Sequence, residues 1–149
     1  MTNTPGNAPD KILYTARATS TGGGRRDGRS VSDDGELDVT LQAPKEVGGP
    51  GGGTNPEQLF AVGYGACFTG ALHAVAKKHD EDVTGATTVV EIGFGPEGSS
   101  FAITADLKVS VPGMDLARVQ ELADATHLFC PYSKAISGNV PVSVTAVAA

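Results

Sequence analysis

Tryptophan is absent from this 149-residue chain, and three tyrosines and five phenylalanines bring aromatics to only 5%. Eleven Lys and Arg stand against seventeen Asp and Glu, a formal charge of −6. No basic run interleaves with rings, so no nucleic-acid surface is indicated. The opening MTNTPGNAPDK has neither a basic n-region nor an apolar h-region, so no secretory leader is read and the cytoplasm is the expected compartment. Cysteine is scarce too, with two residues. In a reducing compartment, two thiols are more often reactive or metal-binding than a permanent staple. No internal repeat stands out, and the length suits one domain.

What is present divides into short alternating segments around one long apolar run. Residues 1–10 have the composition of a disordered lead-in, with a single domain expected over 11–149. KILYTARATST from Lys11 reads as a strand, the glycine-rich GGGRRDGR as a turn, and ELDVTLQ from Glu36 to Gln42 as a second strand, antiparallel to the first. GGPGGG is a linker. Both glycine clusters lack the GK[ST] ending of a phosphate loop, and bare glycine clusters are weak motifs.

The long run, GTNPEQLFAVGYGACFTGALHAVAKK from Gly53 to Lys78, predicts a mostly buried helix with Asn55 as N-cap, Pro56 at the first helical position and Gln58 closing a capping box. Glycines and His73 interrupt it too often for a membrane span. Strands are expected at 87–94 and 101–111, the latter with Phe101, Ile103, Ala105, Leu107, Val109 and Val111 on one face. Asp115 caps a second helix through LARVQELADATHLF, a short helix follows at Pro131, and Val140–Val147 closes the chain as a strand. The class is α+β.

Cys67 lies mid-helix in apolar surroundings, whereas Cys130 precedes a proline that opens a helix and so sits near N–H groups. A helix N-terminus favours a thiolate and apolar burial opposes it, so Cys67 needs a cation to react. Arg25, Arg26 and Arg29 lie outside the strand and helix patterns, and Glu57 in the first helical turn is placed to orient such an arginine. Three readings of the cysteines stay open: a redox pair, two packed or oxidant-sensing thiols in a non-enzymatic protein, or a metal site with His127. The last has no fourth ligand in view. His73 and His79 read as solvated, and GACFT lacks the closing glycine and the preceding strand of a hydrolase nucleophile elbow.

TNPEQLFAVGYGACFTGAL, followed far downstream by CPYSKAISGN, resembles the organic hydroperoxide resistance proteins of the Ohr/OsmC superfamily. ILYTA, GGRRDGR and LDVTLQAPKEVGGPGG fall in the family's order, so the likeness spans nearly the whole chain. The resemblance implies an OsmC-like fold, with antiparallel sheets packed around a long buried central helix, in an intertwined homodimer. It implies a thiol peroxidase acting on organic hydroperoxides, with Cys67 peroxidatic, Cys130 resolving, Arg26 as the catalytic arginine and Glu57 as its partner. The turn carries a doubled arginine, so Arg25 is the alternative to Arg26. No bound cofactor is implied; the reductant is an external dithiol on a lipoyl-bearing protein.

Glu57 and Cys67 bear on the dimer. Ten residues along a straight helix separate them by about 15 Å. Either the helix breaks near Gly63 to Gly65, or Glu57 serves the Cys67 of a partner chain.

Overall fold

A computed structural model describes residues 8–149. The expected lead-in lies outside the described residues up to position 7, and residues 8–10 are exposed and outside any strand or helix. The chain resolves into two compact units, Met1–Asn55 and Pro56–Ala149.

The first unit is a three-stranded antiparallel sheet in the order β1 (Ala18–Thr21), β2 (Arg29–Ser32), β3 (Asp38–Thr40). Two sequence expectations change here. The strand read from Lys11 begins only at Ala18, and Ile12, Leu13 and Tyr14 are exposed. An apolar run becomes a strand only where a neighbour supplies its ladder, and pairing with β2 ends at Ala18↔Ser32. The second change is that β2 intervenes between the two expected strands, which therefore do not pair with each other. Its sequence, RSVS, has one apolar residue and no readable alternation. The turn from β1 to β2 needs its glycines. A Cβ at Gly28 would stand 2.6 Å from both the Thr21 and Gly24 carbonyl oxygens, and Gly22 and Gly24 have positive φ.

The second unit wraps α1 (Pro56–Lys78) with β4 (Thr87–Glu97), β5 (Ser100–Ser110), α2 (Leu116–Phe129), α3 (Pro131–Ile136) and β6 (Val142–Ala146). β4 and β5 form an antiparallel hairpin. β6 pairs with β5 in parallel, which makes this sheet mixed rather than purely antiparallel, and α2 and α3 provide the crossover that a parallel pair requires. The expected Asp115 cap is present, its carboxylate accepting from the N–H groups of Ala117 and Arg118.

Tyr64, Phe68, Ala71, Leu72, Val75 and Ala76 recur at helical spacing and form the buried face of α1. With Ala105, Leu107 and Val109 of β5 and Val119, Leu122 and Ala123 of α2 they make the core. The rest of α1 is less covered than its composition predicts. Val62 is 73% exposed, and Ala66 and Gly70 are exposed as well. By length and composition alone α1 could cross a membrane, yet its buried face packs on β4, α2 and α3 as a core helix does. β5 also departs from its pattern at one end, where Phe101 is 63% exposed and stacks on Phe94 across the hairpin, ring centroids 4.9 Å apart.

Candidate active site

Cys67 sits on α1 at the edge of the buried face, next to Phe68, and is half-buried. Cys130 is fully buried between two helices. Its φ of −63° and ψ of 125° follow from Pro131, because a residue before proline is pushed out of the helical region. The chain therefore ends α2 at Cys130, whose N–H bonds the Thr126 carbonyl at 2.8 Å, and restarts as α3 with proline at its first position. The break brings the Cys130 side chain against α1. Its thiol donates to Cys67 Sγ at 3.5 Å, and both thiols are free.

Burial pushes the Cys67 thiol above its ordinary pKa, the backbone N–H of Tyr132 bonds its sulfur and works the other way, and the Cys130 thiol adds a smaller upward push. This corrects the expectation that α3's N-terminus serves Cys130. At the cap position the Cys130 side chain makes no cap hydrogen bond, and the Tyr132 N–H is directed to Cys67.

A cleft of about 310 Å³ between α1 and α3 is lined by Leu59, Phe60, Tyr132, Ala135 and Ile136, with neither cysteine in its wall. All five side chains are apolar or aromatic. Tyr132 spans both features, since its N–H reaches Cys67 and its ring walls the cleft. That ring packs over Gly63, one turn before Cys67, where a Cβ would stand 3.2 Å from the Tyr132 hydroxyl. Phe60, Tyr64, Phe68 and Tyr132 form a chain of ring contacts with centroids 6.0 to 6.4 Å apart. Within it, Tyr64 Oη and Ser133 Oγ are hydrogen-bonded at 2.7 Å. Burial pushes the Tyr64 phenol's pKa up, which keeps it a neutral hydroxyl. The sequence reading missed Tyr132, Tyr64 and Ser133 as parts of the site. The available signal was position, one turn from a cysteine in Tyr64 and Ser133, and two residues after one in Tyr132.

The remaining expected residues lie as follows. Glu57 is half-buried in the first turn of α1, which runs unbroken through Gly63 and Gly65, so the helix does not break there. Arg25 and Arg26 belong to the first unit, in the glycine turn; Arg25 is half-buried and Arg26 exposed, its N–H bonding the Gly23 carbonyl at 3.4 Å. Arg29 is not a loop arginine. It lies in β2 and makes a two-pronged ion pair with Asp38 of β3 at 2.7 and 2.5 Å. His73 and His79 are exposed. His127 is half-buried with its Nδ1 unpartnered, and among the described residues no three His, Cys, Asp or Glu gather as a metal site.

Residues 49–145 match the family model described as OsmC-like protein. The chain is 50% identical over 140 residues to an organic hydroperoxide resistance protein of Xanthomonas axonopodis pv. citri, covering 93% of this chain and 97% of that one. Its fold superposes on the organic hydroperoxide resistance protein of Elizabethkingia anophelis with a TM-score of 0.86 at 38% identity, covering 93% of this chain and 99% of that chain. For OhrB of Bacillus subtilis the TM-score is 0.83 at 41% identity, with 91% and 100% covered. The likeness therefore covers most of the sequence and the arrangement of sheets and helices. This chain belongs to the OsmC-like family, on the branch of the organic hydroperoxide resistance proteins.

Proposed function

We propose that this protein is a thiol peroxidase that reduces organic hydroperoxides to alcohols in the reducing cytoplasm. The observation that carries the reading is the apposition of two free thiols at 3.5 Å, with Tyr132 shared between Cys67 and an apolar cleft. The Cys67 thiolate attacks the terminal oxygen of ROOH, the O–O bond breaks, and RO⁻ takes a proton to leave as ROH. Cys67 is left as a sulfenic acid. The Cys130 sulfur then attacks Cys67 Sγ, the S–O bond breaks, and hydroxide leaves as water with the Cys130 proton. An external dithiol, of the kind carried by a lipoyl protein, returns both cysteines to thiols and becomes a disulfide itself.

Burial alone would leave Cys67 protonated at neutral pH, so the reaction needs a cation. The candidate, carried over from the resemblance of the GGRRDGR turn, is Arg26, with Arg25 as the alternative, oriented by Glu57. The apolar cleft favours alkyl and fatty-acyl hydroperoxides over hydrogen peroxide. The exposed Val62 and Ala66 flank of α1 supports a homodimer in which a second copy covers it, the arrangement in which Glu57 of one chain serves Cys67 of the other.

Thiol titration before and after one equivalent of cumene hydroperoxide tests the chemistry. The parent should lose two thiols at unchanged oligomer mass. Cys67→Ser should consume no peroxide, and Cys130→Ser should turn over once and accumulate sulfenic then sulfinic acid by mass spectrometry. Thiols inert to the hydroperoxide would leave a packing role instead. Cys67→Ser and Glu57→Ala chains refolded together should regain activity in their heterodimers; mixed dimers without recovery would refute the shared site.

A further inference from the structure

Tyr64 and Ser133 are fully or almost fully buried, hydrogen-bonded to each other, and take no part in the chemistry above. Their positions mirror those of the thiols. Tyr64 stands three residues before Cys67 (67 − 64) on α1, and Ser133 three residues after Cys130 (133 − 130) on α3. Residues three apart on a helix are neighbours on one face. The seam between α1 and α3 thus carries two rungs, thiol to thiol at 3.5 Å and hydroxyl to hydroxyl at 2.7 Å.

The hydroxyl rung matters because α3 cannot hold its own position and, beyond the Tyr132 contacts in its first turn, this is the directional tie to α1. It has six residues, no side-chain cap hydrogen bond and no acidic residue in its first turn. A helix this short is not stable on its own, so tertiary contacts set its position. Ring packing from Phe60, Phe68 and Tyr132 surrounds Tyr64 but is tolerant of sliding, whereas a buried hydroxyl pair is directional.

We infer that the Tyr64–Ser133 hydrogen bond is a positioning device that holds Cys130 against Cys67 and sets how readily the two sulfurs join. The inference rests on the disulfide-forming role proposed above. Joining takes the sulfurs from 3.5 Å to about 2.05 Å, with the S–O bond of the Cys67 sulfenic acid broken and water released. With α3 pinned one turn away, rotation of the two cysteine side chains covers that distance. Without the pin α3 samples other placements, and the effective concentration of Cys130 at Cys67 falls.

Tyr64→Phe keeps the ring and removes the hydroxyl, Ser133→Ala removes its partner, and the double variant completes a cycle. The full chain is equilibrated in dithiothreitol redox buffers to give the Cys67–Cys130 potential. Separately, the ratio of disulfide to sulfinic acid is measured by mass spectrometry after cumene hydroperoxide. Each single variant should lower the disulfide equilibrium constant about tenfold, or about 30 mV toward a more oxidising potential, and should raise the sulfinic share. The double variant should be no worse than either single one. Folded single variants with the parent's potential overturn the inference, as do losses that add in the double variant. If Ser133→Ala does not fold, Tyr64→Phe decides alone. A parent that forms the disulfide in redox buffer but not with hydroperoxide would refute the peroxidase reading while leaving the potential measurement to judge this one.

Discussion

Replacing Gly63 with alanine sets a backbone gain against a side-chain clash at the candidate site. Alanine is favoured over glycine inside a helix by about 1 kcal/mol, and α1 is continuous through position 63. The new methyl would lie 3.2 Å from Tyr132 Oη and 3.3 Å from its Cε2, a few tenths of an ångström inside ordinary contact. Tyr132 is 41% exposed, so its ring can yield outward and the strain stays comparable to the gain. Global stability should therefore change by less than about 1 kcal/mol, or roughly 2–4 °C in Tm for a chain of this size. The chemistry should change more. Displacing Tyr132 loosens its N–H from Cys67, and because that bond favours the thiolate, weakening it raises the thiol pKa further. The assay is iodoacetamide alkylation of Cys67 against pH in a Cys130→Ser background, beside calorimetry of the same protein. An unshifted alkylation midpoint would refute the coupling of Tyr132 to Cys67, and a Tm drop above about 8 °C would show the ring to be immovable.

Three further outcomes are expected. Arg26→Ala should slow peroxide reduction at a cost of about 2–4 kcal/mol while Arg25→Ala costs little, and the reverse pattern would transfer the role to Arg25. Burial raises the Cys67 pKa. The stability from its neutral thiol is whole below about 8.5 and lost as pH rises through the folded value, and removing the working arginine should deepen that decline in Tm. Gly70→Ala should raise Tm by about 2–4 °C, because the added methyl meets nothing within 4 Å. A fall in Tm would show that another chain covers this part of α1.

Local signals made α1, α2 and α3 legible from sequence. Asn55-Pro56 marks a helix start and Asp115 a cap, and Cys130-Pro131 forces a break because proline restricts its predecessor and lacks a donor. The cysteine motifs made the family legible, and with it the expectation that Cys67 and Cys130 act together. Strand limits in the first unit were not legible, because Ile12 to Tyr14 is strand-like by composition yet pairs with no strand among the described residues, and RSVS is strand only because it has two neighbours.

Only the tertiary structure decided what surrounds the thiols. Sixty-three residues separate Cys67 from Cys130 along the chain, and no local rule sets a 3.5 Å gap between them. That gap depends on how α2 and α3 pack on α1, as does the choice of Cys67 rather than Cys130 as the acceptor of the Tyr132 N–H. The Tyr64–Ser133 bond is likewise invisible in sequence, since two hydroxyls 69 positions apart carry no pairing signal until burial removes water as the alternative partner. Local chemistry determined where the helices start and stop; long-range packing decided which side chains meet, because burial and contact are properties of the assembled core.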